Sequence, residues 1–170
     1  MDFLCLFAIS FEKEEINIPI DDKTLTSYQV ISCFQENENN LVYAYNSPMH
    51  SLDIFNLNDQ SISHLPLNKE GENGILKNVS GLYVHQEDSL WLYSQGFLYL
   101  VNNEGEVKGK YELPFPEGGF IMVETNFSMA TIKLFYHPQR NSVFYLTVTP
   151  TKESATYIVY EYSLNSGTFK

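Results

Sequence analysis

Four histidines (His50, His64, His85 and His137) and two cysteines (Cys5 and Cys33) are the side chains best suited to metal binding or nucleophilic chemistry here. Their spacing matches neither use. No histidine pair forms an HExxH helix motif, and no GxSxG stretch marks a nucleophile elbow. Two cysteines so far apart make neither a disulfide framework nor a zinc pattern. Cys33 lies in the apolar run "VISCF" and reads as a small buried hydrophobe. "GENG" and "EGG" lack the Lys-Ser/Thr and the helix of a phosphate loop. Asn78-Val79-Ser80 and Asn126-Phe127-Ser128 fit the glycosylation acceptor pattern, which chance alone supplies in a chain of this length. His85 and His137 both close an apolar run and enter a turn, which reads as one structural position used twice.

The elements that must position any site follow from a repeat. "INIPID", "SHLPLN" and "YELPFP" place Pro19, Pro66 and Pro114 at steps of 66 − 19 = 47 and 114 − 66 = 48. Between these prolines the chain alternates short aromatic and β-branched runs with Asn, Asp, Ser and Gly turns. "YQVISCF", "LVYAYN", "SLDIFNL" and "SISHLPL" are four strands. "GLYVH", "LWLYS", "FLYLVN" and "VKGKYELPF" are four more. "ATIKLFYH", "VFYLTVT", "TYIVYEYS" and "TFK" form a third set. Aromatic content of 15% suits strands, whose half-buried pleats accept flat rings. Ile31, Leu82 and Ile132 fall in register at the start of each set.

Four antiparallel strands at this period are the signature of a β-propeller blade. The expected fold is all-β and propeller-like, with blades at 28–67, 81–115 and 130–170. Residues 11–20 read as the last strand of a preceding blade, and 1–10 as an apolar segment that could be the remnant of a leader. The repeated proline sits where a missing N–H costs no ladder bond, on the outer strand. Trp91, mid-strand in an apolar run, is expected in the core. Three blades and a strand make an incomplete ring, so the chain is expected to be part of a longer propeller and to self-associate through open blade faces.

In a propeller the turns between second and third strands share a face with the links between blades, and ligands bind there. The residues of this chain predicted on that face are His50, Asn73, Gln95, Asn126 and Lys152. Calcium takes six to eight oxygen ligands, and Asp21, Asp22, Glu124 and Asn126 lie in links that could supply some; the same residues are ordinary turn formers. No metal site and no cofactor is predicted. The net charge is −11 and Arg140 is the only arginine, so the clustered cations that phosphate recognition requires are missing and nucleic acid is excluded as a partner.

The link Glu70-Gly71-Glu72-Asn73-Gly74, the strand pair Leu82 to Leu92 with Asp88-Ser89, and "LYLVNNEGEV" together resemble domain-of-unknown-function family 4221, a group of Bacteroidetes envelope proteins. The resemblance covers residues 16–115 closely and the rest loosely. It implies a six-bladed, TolB-like propeller in the bacterial cell envelope, periplasmic or held by a lipid anchor, with no assigned chemistry and no catalytic residues to carry over. Two readings follow. One is a non-catalytic propeller that binds a protein or small ligand or serves in assembly. The alternative is part of a calcium-dependent propeller hydrolase whose site is completed by residues outside this chain.

Overall fold

The structure, a computed structural model, describes residues 16–36, 38–113, 134–150 and 155–170. All regular structure among them is β, in three four-stranded antiparallel sheets. Sheet 1 holds β1 (Ile31–Glu36), β2 (Asn39–Asn46), β3 (Ser51–Asn56) and β4 (Ser61–Pro66). Sheet 2 holds β5 (Gly81–Gln86), β6 (Ser89–Ser94), β7 (Phe97–Val101) and β8 (Val107–Glu112). Sheet 3 holds β9 (Leu134–His137), β10 (Ser142–Pro150), β11 (Ala155–Ser163) and β12 (Thr168–Phe169). Strand order in each sheet follows chain order, so every connection within a sheet is a hairpin. The turn residues explain why. Gln95 and Gly96 both hold positive φ, 48° and 83°, the requirement of a two-residue turn that matches strand twist. Asn56 and Asp59 accept hydrogen bonds from Asn58, Ser61 and their neighbours and close the β3–β4 turn.

Strand register sets which side chains share a face. In sheet 1 one cross-strand row runs Ile31, Ala44, Asp53, His64; the next runs Ser32, Tyr43, Ile54, Ser63. In sheet 2 the corresponding rows are Leu82, Leu92, Tyr99, Lys110 and Tyr83, Trp91, Leu100, Gly109. Tyr43, Tyr45 and Leu52 of sheet 1 pack against Leu82, Leu92 and Tyr99 of sheet 2, with Ile75 and Val79 of the connecting link filled in beside them. Trp91, Tyr93 and Leu98, on the other face of sheet 2, pack against Leu134, Val143 and Tyr145 of sheet 3. Sheet 2 is thus the middle layer. Each sheet has a forward face toward the next and a backward face toward the one before. Burying one such side chain is worth roughly 1.5–3 kcal/mol, more than a typical net hydrogen bond, so these two interfaces dominate the packing. The first strands lie side by side, β1 next to β5 and β5 next to β9, and the Val84 N–H donates to Ser32 Oγ at 3.2 Å.

Two expectations change. Ile16–Ile20 form no strand, so the described half of the predicted N-terminal strand is irregular; residues 11–15 lie outside the described ones. Cys33 is exposed. It alternates with Phe34 along β1 and points from the backward face of sheet 1, where no other described sheet packs.

Pro66 ends β4 as predicted for an outer strand, and its carbonyl has a specific neighbour. Gly105, in the β7–β8 turn at φ +82°, approaches it so closely that a Cβ there would lie 2.6 Å from the Pro66 oxygen. Gly105→Ala is expected to cost about 2 kcal/mol, from left-handed strain plus the forced separation of sheets 1 and 2. Gly71, at φ +81° with nothing within 4 Å of its Cβ position, is the control. Gly71→Ala should cost about 1 kcal/mol, from strain alone. Urea unfolding of both variants measures the difference.

Candidate functional site

The densest polar cluster lies on the backward face of sheet 1. β3 carries Asp53 in the middle of "SLDIFN", and its side chain is fully buried. Burial of a carboxyl group is tolerable only with hydrogen bonds to both oxygens. Asp53 has them: Tyr28 Oη donates at 2.5 Å, Asn46 Nδ2 at 2.8 Å and Ser51 Oγ at 3.4 Å, and His64 Nδ1 lies 2.8 Å away. β4 places His64 opposite Asp53 in the register. The other ring nitrogen, Nε2, lies 2.9 Å from Asp21 Oδ2. Asp21 is itself organised as a turn residue. Its Oδ1 accepts from Thr24 Oγ1 at 2.6 Å and from the backbone N–H groups of Lys23 and Thr24 at 3.0 Å each.

Each nitrogen of His64 faces a carboxyl oxygen, and a carboxylate can only accept. A nitrogen that meets an ionised carboxylate bonds it only by donating, so this arrangement favours the doubly protonated ring. The hydrogen bonds to Asp53 and then Asp21 raise the His64 pKa above its ordinary value. The Thr24 hydroxyl, followed by His64, holds Asp21 well below the usual carboxylate range. Burial, then the bond to Asp53, pushes Tyr28 up to about 12. Tyr28 also accepts from the Leu25 N–H at 2.9 Å, and Asn46 Nδ2 reaches the Lys23 carbonyl at 2.8 Å. The cluster clamps segment 21–28 onto sheet 1. Both His64 nitrogens are taken up within the cluster.

The clamp has a pH signature. A histidine whose folded pKa is raised stabilises fully below its unfolded value of about 6.5 and loses that contribution as pH rises through the folded value. Between pH 6 and 9 the stability of the native chain is expected to fall relative to that of His64→Gln. Urea midpoints of the two proteins across that range measure the difference.

The predicted ligand-face residues divide differently. His50 does sit in the β2–β3 turn, at φ 54°, but it is buried inside the packing between sheets 1 and 2. Tyr45 Oη meets its Nδ1 at 2.9 Å, its Nε2 is buried without a hydrogen-bond partner among the described residues, and burial lowers its pKa. The link backbone at Asn68 and Ile75 lies beside it, and the Tyr45 ring meets it edge-on. Gln95 occupies the β6–β7 turn and spends its Nε2 on the Lys77 carbonyl at 3.0 Å, which ties that turn to the link as expected of a shared face. Asn73 accepts from the Val107 N–H at 3.1 Å, which fastens the link to the outer strand β8. Asn126, Lys152 and Glu124 lie outside the described residues. Of the three predicted ligand-face residues that are described, His50 is buried, Asn73 half-buried and Gln95 exposed.

Of the clamp, Asp21 stands out in the sequence as a link residue and His64 as one of four histidines, while Asp53, Asn46 and Tyr28 belong to no motif. The clamp's signal was an aspartate inside a strand run, at the row position where the next repeat carries Tyr99. Among the described residues no group of three or more His, Cys, Asp or Glu side chains could hold a metal ion.

Neither a family model nor a curated protein matches the sequence. Among solved structures, the extracellular domain described as that of a hybrid two component system from B. thetaiotaomicron gives a TM-score of 0.45 at 11% identity, over 94% of this chain and 18% of that chain. A member of the duf4221 family from Bacteroides vulgatus gives a TM-score of 0.70 at 21% identity, over 90% of this chain. The present chain spans 44% of the length of that structure. The three stacked sheets thus have the fold of a part of the duf4221 protein.

Proposed function

We propose that the chain is a run of consecutive β-propeller blades that acts by binding or assembly in a bacterial cell envelope, without catalysis. Three four-stranded meanders with their first strands side by side are what blades around an axis require, and they support the propeller reading. The envelope location is carried over from the likeness to the Bacteroides protein, and a lipid anchor is part of the same reading. The partner is a protein or a small ligand.

One observation carries the non-catalytic reading. Several of the described polar side chains suited to chemistry are already engaged by the chain itself. His64 has a carboxylate on each nitrogen, His50 is enclosed, and Asn73 and Gln95 hold backbone groups. A reacting site instead needs an acid, base or nucleophile free to meet its substrate. Calorimetric titration of the full chain with calcium, paired with thermal melts, tests the proposal. No saturable heat and an unchanged melting temperature are expected. Stoichiometric binding with a raised melting temperature would replace this reading with that of a calcium-dependent hydrolase.

A further inference from the structure

Asn73-Gly74 is the one Asn-Gly pair in the chain, and it stands in the link between sheets 1 and 2. Such a pair carries its own chemistry. A backbone nitrogen can attack the side-chain amide of the residue before it, and glycine, with no Cβ and the widest choice of φ and ψ, obstructs that attack least. The fold uses both residues all the same. A Cβ at position 74 would lie 2.9 Å from the Gly71 oxygen and 3.0 and 3.1 Å from backbone atoms of Glu70, so a larger residue would have to push the main chain apart. Asn73 supplies the acceptor for the Val107 N–H at 3.1 Å, where the register between β7 and β8 shifts. Both reacting groups are therefore occupied. The Gly74 N–H donates to the Gly71 carbonyl at 3.0 Å and closes a turn over 71–74, and Asn73 Oδ1 is held by Val107. Asn73 and Gly74 are each half-buried.

We propose that Asn73 is a deamidation site that the folded link keeps latched, with the Val107 N–H on β8 as the latch. In the reaction the Gly74 nitrogen bonds to Asn73 Cγ while the Cγ–Nδ2 bond breaks. The Gly74 amide proton leaves with Nδ2 as ammonia, and a succinimide remains. One water then opens the ring at either carbonyl, giving aspartate or isoaspartate at position 73. The first step cannot run with the native bonds intact. Its proton is the one bound to the Gly71 carbonyl, and ring closure draws Oδ1 off the Val107 N–H together with Cγ. Conversion therefore passes through a local opening of the link from β8. The two products differ in effect. Aspartate still offers an oxygen to Val107. Isoaspartate adds a methylene to the main chain inside the turn, so the bond between Gly74 and Gly71 no longer closes at its native length and the opening becomes permanent.

This chemistry does not depend on what the chain binds, so its test and the calcium titration stand apart. Peptide mass spectrometry on the full chain, incubated in mildly alkaline buffer with and without urea above the unfolding midpoint, measures conversion at position 73. Chromatography separates aspartate from isoaspartate. Conversion in urea is expected, with the native chain slower by at least about tenfold, the factor that an opening free energy of ~1.4 kcal/mol imposes. Val107→Pro removes the donor N–H on an outer strand, where proline is tolerated. It should raise the native rate toward the urea rate with unchanged circular dichroism. If that variant misfolds, hydrogen exchange of the Gly74 amide in the native chain decides. Its protection should match the ratio of the two conversion rates, because both need the same opening. No conversion in urea, equal rates with and without urea, a folded Val107→Pro no faster than the native chain, or a Gly74 amide that exchanges freely while conversion stays suppressed would overturn the proposal.

Discussion

Alanine at position 53 is expected to lower the unfolding free energy by about 3 kcal/mol, a large loss for one polar side chain. The cause is what Asp53 leaves behind. Asn46 and Tyr28 lose an acceptor in a buried place, and His64 keeps one carboxylate instead of two. Segment 21–28 is then held by Asp21, on the exposed side of His64, and by the Asn46 bond to the Lys23 carbonyl. Asp53→Asn should recover part of the loss, since its oxygen still accepts from two of the donors while its amide group opposes the others. Urea unfolding ranks the variants, and limited proteolysis should find earlier cleavage between residues 20 and 30 in Asp53→Ala.

Tyr99 holds the position in sheet 2 that Asp53 holds in sheet 1, and its loss is expected to be larger. Tyr99→Ala should cost about 4 kcal/mol, within the range for emptying a buried aromatic site. Its ring is fully buried between sheets 1 and 2, beside Phe97 and under the ammonium of Lys110. Its hydroxyl makes one long bond, 3.5 Å, from the Leu76 N–H. Tyr99→Phe should therefore cost only about 0.5–1 kcal/mol. The comparison separates ring from hydroxyl and shows how the two repeats solve one problem. In sheet 1 the link N–H of Leu25 is met by the Tyr28 hydroxyl, which Asp53 holds in place; in sheet 2 the tyrosine on the third strand reaches the link directly.

That contrast marks what the sequence could and could not disclose. Hairpins were legible because each strand is a short aromatic or β-branched run closed by Asn, Asp, Ser or Gly, all local signals. "LWLYS" and "FLYLVN" correspond to β6 and β7 almost residue for residue. The role of Pro66 as the end of an outer strand was legible too; its contact with Gly105 was not, because it joins different repeats. The clamp escaped for the same reason. Asp21 and His64 are 43 residues apart, and only the folded link brings them together. Cys33 misled because "VISCF" is apolar throughout, and composition does not say which face of a strand meets another sheet. His50 was placed in the correct turn but on the wrong side of the surface, since the link backbone comes to lie beside it only once sheets 1 and 2 pack.

The central claim is the layering: sheet 2 packs on sheet 1 with one face and on sheet 3 with the other. A double-mutant cycle on Trp91 and Tyr136 tests it most directly, because these rings belong to different sheets and stack with centroids 5.7 Å apart. Trp91→Leu and Tyr136→Leu, alone and together, should show a coupling of about 1 kcal/mol. Tyr43→Leu, on the far side of sheet 2, should combine with Tyr136→Leu additively to within about 0.5 kcal/mol. Additive losses for Trp91 and Tyr136, or coupling between Tyr43 and Tyr136 instead, would contradict the layering.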